Sequence, residues 1–351
     1  FSLVIIMGDM ILGEDLSLSE YKYPQLINYP MYLNFFLLLL FILITIFLLG
    51  DSNQNWFSDF LFQYLSIDLI SAKNSITVLD KISLIAITSL YIGVMGTVPG
   101  HELTHRKREK LDMFFGNWLL SLSWDCTFAI EHVYGHHKNV CLPTDPATAK
   151  RGENIYLFIF RATIREHVDA WKIELSRLKR RSEYKFGTKN KMIVGYARSL
   201  IITLISFLVG GLIGMCMYLL CAFIAKALLE VINYTEHYGL VREADKPVYP
   251  RHSWNSNSMM SSILLYNVTR HSAHHEKSHL KFWELDTYQD APMMPHGYLS
   301  MLYLAIFIPP LFHRMMAKKL VEWDEKYATS EEREIASIAN KNSGISLLTN
   351  Q

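Results

Sequence analysis

Apolar residues in this chain come in blocks and do not alternate with polar ones. Residues 31–50 form an uncharged run of 20, residues 82–100 one of 19, and residues 199–225 one of 27. At about 1.5 Å per helical residue, each has the length needed to cross a hydrocarbon core of roughly 30 Å. The pattern predicts an all-α integral membrane bundle. The third run is longer than one crossing requires and carries Gly210, Gly211 and Gly214 near its middle. It reads either as one span or as two helices, 192–209 and 212–236, joined by a glycine turn. Residues 1–12 are apolar apart from Asp9, and because the chain starts at Phe they are expected to be the tail of a truncated span. Residues 298–312 are apolar but include Pro309-Pro310, which predicts a packing or interfacial segment, and 316–351 reads as a polar C-terminal tail.

Charge sorts these blocks by side. Residues 51–80 carry Asp51, Asp59, Asp68 and Asp80 against Lys73 alone, as expected of an outer loop. Residues 106–110 are RKREK, and 172–191 hold Lys172, Arg177, Lys179, Arg180, Arg181, Lys185, Lys189 and Lys191, which the positive-inside bias places in the cytoplasm. The net charge of +1 leaves no overall field to attract a polyanion, so nucleic acid is not expected as a partner. The four cysteines, Cys126, Cys141, Cys216 and Cys221, make no Cys-x-x-Cys pair, which excludes a disulfide scaffold, a zinc ribbon and a rubredoxin-type iron site.

Histidine is the compositional oddity, with nine of the 14 residues in four clusters. His101 and His105 lie four apart in HELTH, on one helical face. His132 and His136 repeat that spacing, with His137 adjacent and able to reach a different metal. His237 stands alone in NYTEHYG, where a structural histidine would be the ordinary expectation. His271, His274 and His275 are spaced to converge on one face. Neutral imidazole is the commonest metal ligand near neutral pH. Nine ligands exceed the needs of one ion, so two ions are the simplest inference, although imidazole suits zinc, copper, iron and nickel alike. A shared site needs all four clusters on one side of the membrane, which selects the glycine-turned hairpin because only it returns His237 to the side of His101. His167, His252, His279, His296 and His313 are expected to be structural or solvent-facing. HELTH alone is also the pattern of a zinc protease with Glu102 as general base, a reading that leaves seven of the nine histidines without a role.

The segments HELTHRK at 101–107, EHVYGHHKNV at 131–140, TDPAT at 144–148, NYTEHYGLVR at 233–242, HSWNSN at 252–257 and RHSAHH at 270–275 closely resemble the membrane-bound alkane 1-monooxygenases. These belong to the wider fatty acid hydroxylase and desaturase superfamily. The resemblance covers residues 13–315.

That resemblance implies one integral membrane monooxygenase domain over 1–351, N-terminally truncated relative to a six-helix bundle, with about four spans (31–50, 82–100, 192–209 and 212–236). Segments 101–191 and 237–315 would build a cytoplasmic non-haem di-iron site in a bacterial inner membrane. The implied ligands are His101, His105, His132, His136, His137, His237, His271, His274 and His275. O2 is the implied co-substrate and an n-alkane held in membrane lipid the implied substrate. Electrons would come from rubredoxin, reduced by rubredoxin reductase at the expense of NADH. Fatty acyl or alkyl-aromatic hydroxylation or desaturation is the alternative, since the same iron chemistry serves all of these. Glu102, Glu131, Asp145, Glu236 and Asp290 are candidates for hydrogen bonds to ligand imidazoles. Arg106 to Lys110 and 172–191 are expected as docking surface for an acidic electron carrier. The chain departs from the family at Val268-Thr269-Arg270 and at Ala273, which stands where the family usually has an acid.

Overall fold

A computed structural model describes residues 2–18 and 21–350; Phe1 and Gln351, the bounds of the expected single domain, lie outside the described residues. Among the described residues every regular element is helical, with isolated bridges pairing Glu14 with Ser258 and Asn255 with Met293. The helices used below are α1 (Ser2–Leu12), α2 (Asn28–Leu49), α3 (Val78–His105), α4 (Lys110–Ser121), α5 (128–139), α6 (Ile155–Arg180), α7 (Lys191–His237), α8 (Met259–Leu264), α9 (His271–Glu276), α10 (Tyr298–Phe307), α11 (Pro309–Lys326) and α12 (Ser330–Lys341). Three stretches, Pro24–Leu49, Val78–His105 and Lys191–His237, are long and apolar enough to cross a membrane. The chain divides into a hairpin unit, Tyr23–Cys126 with Glu174–Leu228, and a histidine unit, Phe1–Lys22 with Thr127–Ile173 and Leu229–Gln351.

In the hairpin unit the chain folds back inside α7. A straight helix would separate Ser199 from Tyr218 by about 28 Å and Thr203 from Lys226 by about 34 Å. Yet the Ser199 and Tyr218 hydroxyls donate to the adjacent carbonyls of Ser121 and Leu122 at 3.2 and 3.1 Å. Likewise Thr203 accepts from the Trp124 indole at 3.0 Å while Lys226 pairs with Asp125 at 3.1 Å. The turn is at Gly211, whose φ of 70° and ψ of −164° suit only glycine. A Cβ there would sit 2.1 Å from Asp51 Oδ1. That carboxylate accepts the Ile213 N–H at 3.1 Å, Asp51 N–H donates to the Gly210 carbonyl at 3.0 Å, and Asn55 donates to the Val209 carbonyl at 2.9 Å. The acidic loop after α2 therefore caps the turn of α7. Leu200, Leu204, Leu208, Leu212 and Phe223 are exposed along the limbs, an apolar surface that a bilayer would cover.

In the histidine unit α1 is held to α8 by Asp9, which is buried despite its apolar neighbours and accepts from Ser261 N and Oγ at 2.9 and 2.5 Å. Pro309 opens α11 after a break at Ile308, so 298–312 is two helices. Residues beyond 316 continue as helix, and Arg151 ties them down by donating to both oxygens of Asp324 at 2.6 Å and to Asn340 at 2.5 Å. Trp254, Tyr298, Phe312 and Trp323 are fully buried in this unit.

Candidate metal centre

Seven of the clustered histidines lie in the histidine unit, and they sort into two sets. His136, His237, His271 and His275 bring their ligand nitrogens within 4.8 Å of one another, and His132, His137 and His274 do the same separately. The sorting differs from the helical spacings. Residues 132–136 form a π turn, in which the helix widens so that residues five apart come into register. His132 and His137 Nε2 are accordingly 3.1 Å apart, while His136 turns to the other set with its ring 4.9 Å from those of His237 and His275. Gly135 leaves room for the Glu131 side chain, because a Cβ there would lie 2.5 Å from Glu131 Oε1. In α9 the i, i+4 pair His271 and His275 joins the first set, and His274, rotated away, stacks toward His132 at 6.1 Å. The expectation that 271, 274 and 275 share one face is corrected in this way.

The rings are aimed from behind. His136 Nδ1 is 2.9 Å from Asp145, which also accepts from Thr148 at 2.5 Å. Burial alone would raise the Asp145 carboxyl, but His136 and Thr148 reverse this and hold it below its ordinary value. His237 Nδ1 meets the His252 carbonyl at 3.1 Å and His271 Nδ1 the Val268 carbonyl at 3.3 Å, leaving their Nε2 atoms 3.1 Å apart. Glu236, held by Tyr298 at 2.9 Å, places its other oxygen 3.2 Å from His271 Nε2. Its carboxylate thus stands on the side of the ligand nitrogens. Burial lowers His274 to about 3 and His275 well below its usual value, so both are neutral with lone pairs available. His136 Nε2 and both nitrogens of His275 are buried without a hydrogen-bond partner. Such atoms are costly to bury unless something else takes them, and a metal ion fits the donor set.

In the hairpin unit His101 and His105 close the last turns of α3, their Nε2 atoms 3.2 Å apart. Glu102 between them receives the Arg106 guanidinium at 2.6 and 3.1 Å, and Arg106 also donates to Asp112 at 3.0 Å and Asn28 at 2.7 Å. Arg106 is therefore buried, and of 106–110 only residues 107–110 are presented to solvent. Asp290 is exposed on the wall of a surface cleft with Tyr327 and Lys326. His279 and His296 are exposed, and His313 and Tyr234 meet at 2.9 Å. His252, expected to be structural or solvent-facing, is structural: it is fully buried and its backbone carbonyl accepts from His237 Nδ1. No local pattern marks that role. Its place as the first residue of HSWNSN is the only signal in the sequence.

The sequence model of the fatty acid desaturase family matches residues 82–305, an interval that includes every clustered histidine. Among curated proteins, alkane 1-monooxygenase 1 of Pseudomonas aeruginosa is 38% identical over 69% of this chain and 65% of its own length. Alkane 1-monooxygenase 2 of Alcanivorax borkumensis is 33% identical over 73% of this chain and 68% of its own. The hydroxylase component of xylene/toluene monooxygenase from Pseudomonas putida is 37% identical over 71% and 67%. The chain thus spans a little under two thirds of the first relative's length. Both the family match, which takes in more than half of the chain, and these relatives agree with an all-helical multi-pass membrane protein built around clustered histidines, and the chain belongs to the fatty acid desaturase family.

Proposed function

We propose that the chain catalyses O2-dependent terminal hydroxylation of n-alkanes to primary alcohols at two iron ions. His136, His237, His271 and His275 would hold one ion, and His132, His137 and His274 would ligate the other. The observation that carries this reading is the sorting of the imidazoles into two sets, in the first of which His136 Nε2 and both nitrogens of His275 are buried without a hydrogen-bond partner. The alkane 1-monooxygenase relatives support the substrate class. When bound, iron supplies the one-electron and dioxygen chemistry that no side chain offers.

The protein's own residues supply aim and dryness. Asp145 and the His252 and Val268 carbonyls receive the imidazole N–H groups and so keep the opposite nitrogens as lone pairs. Burial keeps His274 and His275 neutral. A methyl terminus offers no polar handle, so position would be chosen by an apolar channel that admits the chain end-on. One oxygen atom enters the alcohol and the other leaves as water, which consumes two electrons and two protons. Rubredoxin, reduced by its NADH-dependent reductase, would deliver the electrons, docking on exposed cations such as Lys107, Arg108, Lys179 and Lys185. In this reading the site faces the cytoplasm of a bacterial inner membrane.

A second reading, hydroxylation of the methyl group of an alkyl-aromatic, is favoured by the similarity to the xylene/toluene enzyme component. Desaturation or hydroxylation of a fatty acyl chain uses the same metal chemistry. Purified protein given n-octane, rubredoxin, reductase, NADH and ¹⁸O₂ is expected to yield labelled 1-octanol and to contain about two irons per chain. Turnover of a methylbenzene but not octane would establish the second reading, and an unlabelled alkene would establish a desaturase. A single zinc supporting activity would overturn the iron assignment.

A further inference from the structure

None of the nine clustered histidines comes from the helices after Pro309, yet α11 and α12 bond a strap, residues 249–254, that is itself bonded to a ligand of the metal centre. On its inner side the strap is bonded to the end of α7. The His252 carbonyl accepts from His237 Nδ1 at 3.1 Å, Trp254 N–H donates to the Glu236 carbonyl at 2.8 Å, and the Trp254 indole donates to the Tyr238 carbonyl at 3.0 Å. On its outer side the Trp323 indole of α11 donates to the Arg251 carbonyl at 2.6 Å. Glu332 of α12 accepts from Arg251 at 2.9 and 3.2 Å and from His252 Nε2 at 2.7 Å.

The strap is also closed on itself. His252 N–H donates to the Tyr249 carbonyl at 2.9 Å, and Tyr249 N–H donates to His252 Nδ1 at 3.0 Å. An Nδ1 that accepts requires the ring proton on Nε2, which faces Glu332. His252 is 0% and Glu332 1% exposed, so neither bond competes with water.

We propose that Glu332, acting through His252, is a positioning residue for His237. It anchors the ring of His252, the ring anchors the turn, and the turn presents the carbonyl that keeps the proton of His237 on Nδ1. Nε2 is then held as a lone pair directed at the set, 3.1 Å from His271 Nε2. A helix more than ninety residues beyond His237 in the chain thereby governs one ligand of one ion. The inference rests on reading His136, His237, His271 and His275 as a metal set.

The test compares full-length wild type, Glu332→Ala, Glu332→Gln and Thr329→Ala in lipid nanodiscs. Thr329 caps the same helix, with its hydroxyl accepting from Glu332 N at 3.1 Å, and its loss loosens α12 while leaving the carboxylate in place. Iron release to a chelator and the Mössbauer spectrum of the iron are recorded beside thermal unfolding. Glu332→Ala is expected to release one of its two irons about 10–100-fold faster than wild type, the range for lost support behind a metal ligand, with the other retained. Its spectrum should change for one iron only. Glu332→Gln, which keeps an acceptor for His252, should recover most of the wild-type behaviour, and it serves as the test if the alanine variant fails to fold. In that case a residual change confined to one iron, seen in its spectrum and in a release less than tenfold faster, supports the proposal, and a spectrum and release rate both identical to wild type overturn it. Thr329→Ala should unfold earlier but hold both irons. Two irons held at the wild-type rate in Glu332→Ala, or equally fast release from Thr329→Ala at matched stability, would overturn the proposal. Wild-type protein that takes up no iron would instead remove the metal reading on which it rests.

Discussion

Glu102 in the hairpin unit and Asp145 in the histidine unit are both buried carboxylates among the candidates for supporting the histidine site, and they are engaged differently. Glu102, flanked by the HELTH pair, is met one helical turn on by the guanidinium of Arg106, which is itself shared with Asp112 and Asn28. Asp145 comes from the loop after α5 and meets His136 directly. A carboxylate near histidines therefore has no fixed role. A fully charged guanidinium at i+4 occupies Glu102 with structure, since a buried charge needs a partner, whereas Asp145 is available to polarise and orient an imidazole. The difference also weighs against Glu102 as the general base of a protease, since its Oε1 accepts twice from the Arg106 guanidinium.

The comparison can be broken most forcefully at the histidines themselves. His237→Ala should abolish the proposed hydroxylation and lower metal content as fully as His136→Ala, because both rings belong to one set. Retention of iron and turnover in the first variant, normalised to folded protein, would return His237 to a purely structural role. A smaller effect is expected at Asp145. Asp145→Asn keeps the size but not the charge, and hydroxylation should fall about 10–100-fold with iron more easily chelated. Wild-type kinetics there would erase the contrast with Glu102. The smallest catalytic effect belongs to Glu102→Gln. Asp112 still faces Arg106 in this variant, so unfolding should cost roughly 1–3 kcal/mol less than in wild type. Turnover per iron-loaded molecule should stay within about twofold. A large loss of turnover at unchanged iron content would show that Glu102 takes part in the chemistry.

How far the sequence was readable can be judged residue by residue. The three long apolar helices follow from runs without charge, and the fold-back at Gly211 follows from glycines that tolerate a backbone no other residue adopts. The histidine clusters were legible because imidazoles at helical spacing are rare unless something uses them. Their sorting was not. The spacing of 132, 136 and 137 assumes 3.6 residues per turn, and the π turn over 132–136 shifts the pairing to 132 with 137. Nor could spacing show that Glu236 would stand beside the ligand nitrogens, since that placement depends on Tyr298, far along the chain.

The amino-acid sequence by itself determined the class of protein: an all-helical membrane chain with a histidine-rich site of one family, because hydrophobic run length, charge asymmetry and ligand chemistry are local properties. Only the tertiary structure decided which imidazoles share an ion and what holds them. Arg106 is taken out of the exposed basic patch by Asp112 and Asn28, and the polar segment after residue 316 becomes helices whose Glu332 backs His252. The pairings with Asn28 and Glu332 join residues 78 and 80 positions apart. They exist because burial leaves each polar group needing a partner, and only the packed fold determines which partner is within reach.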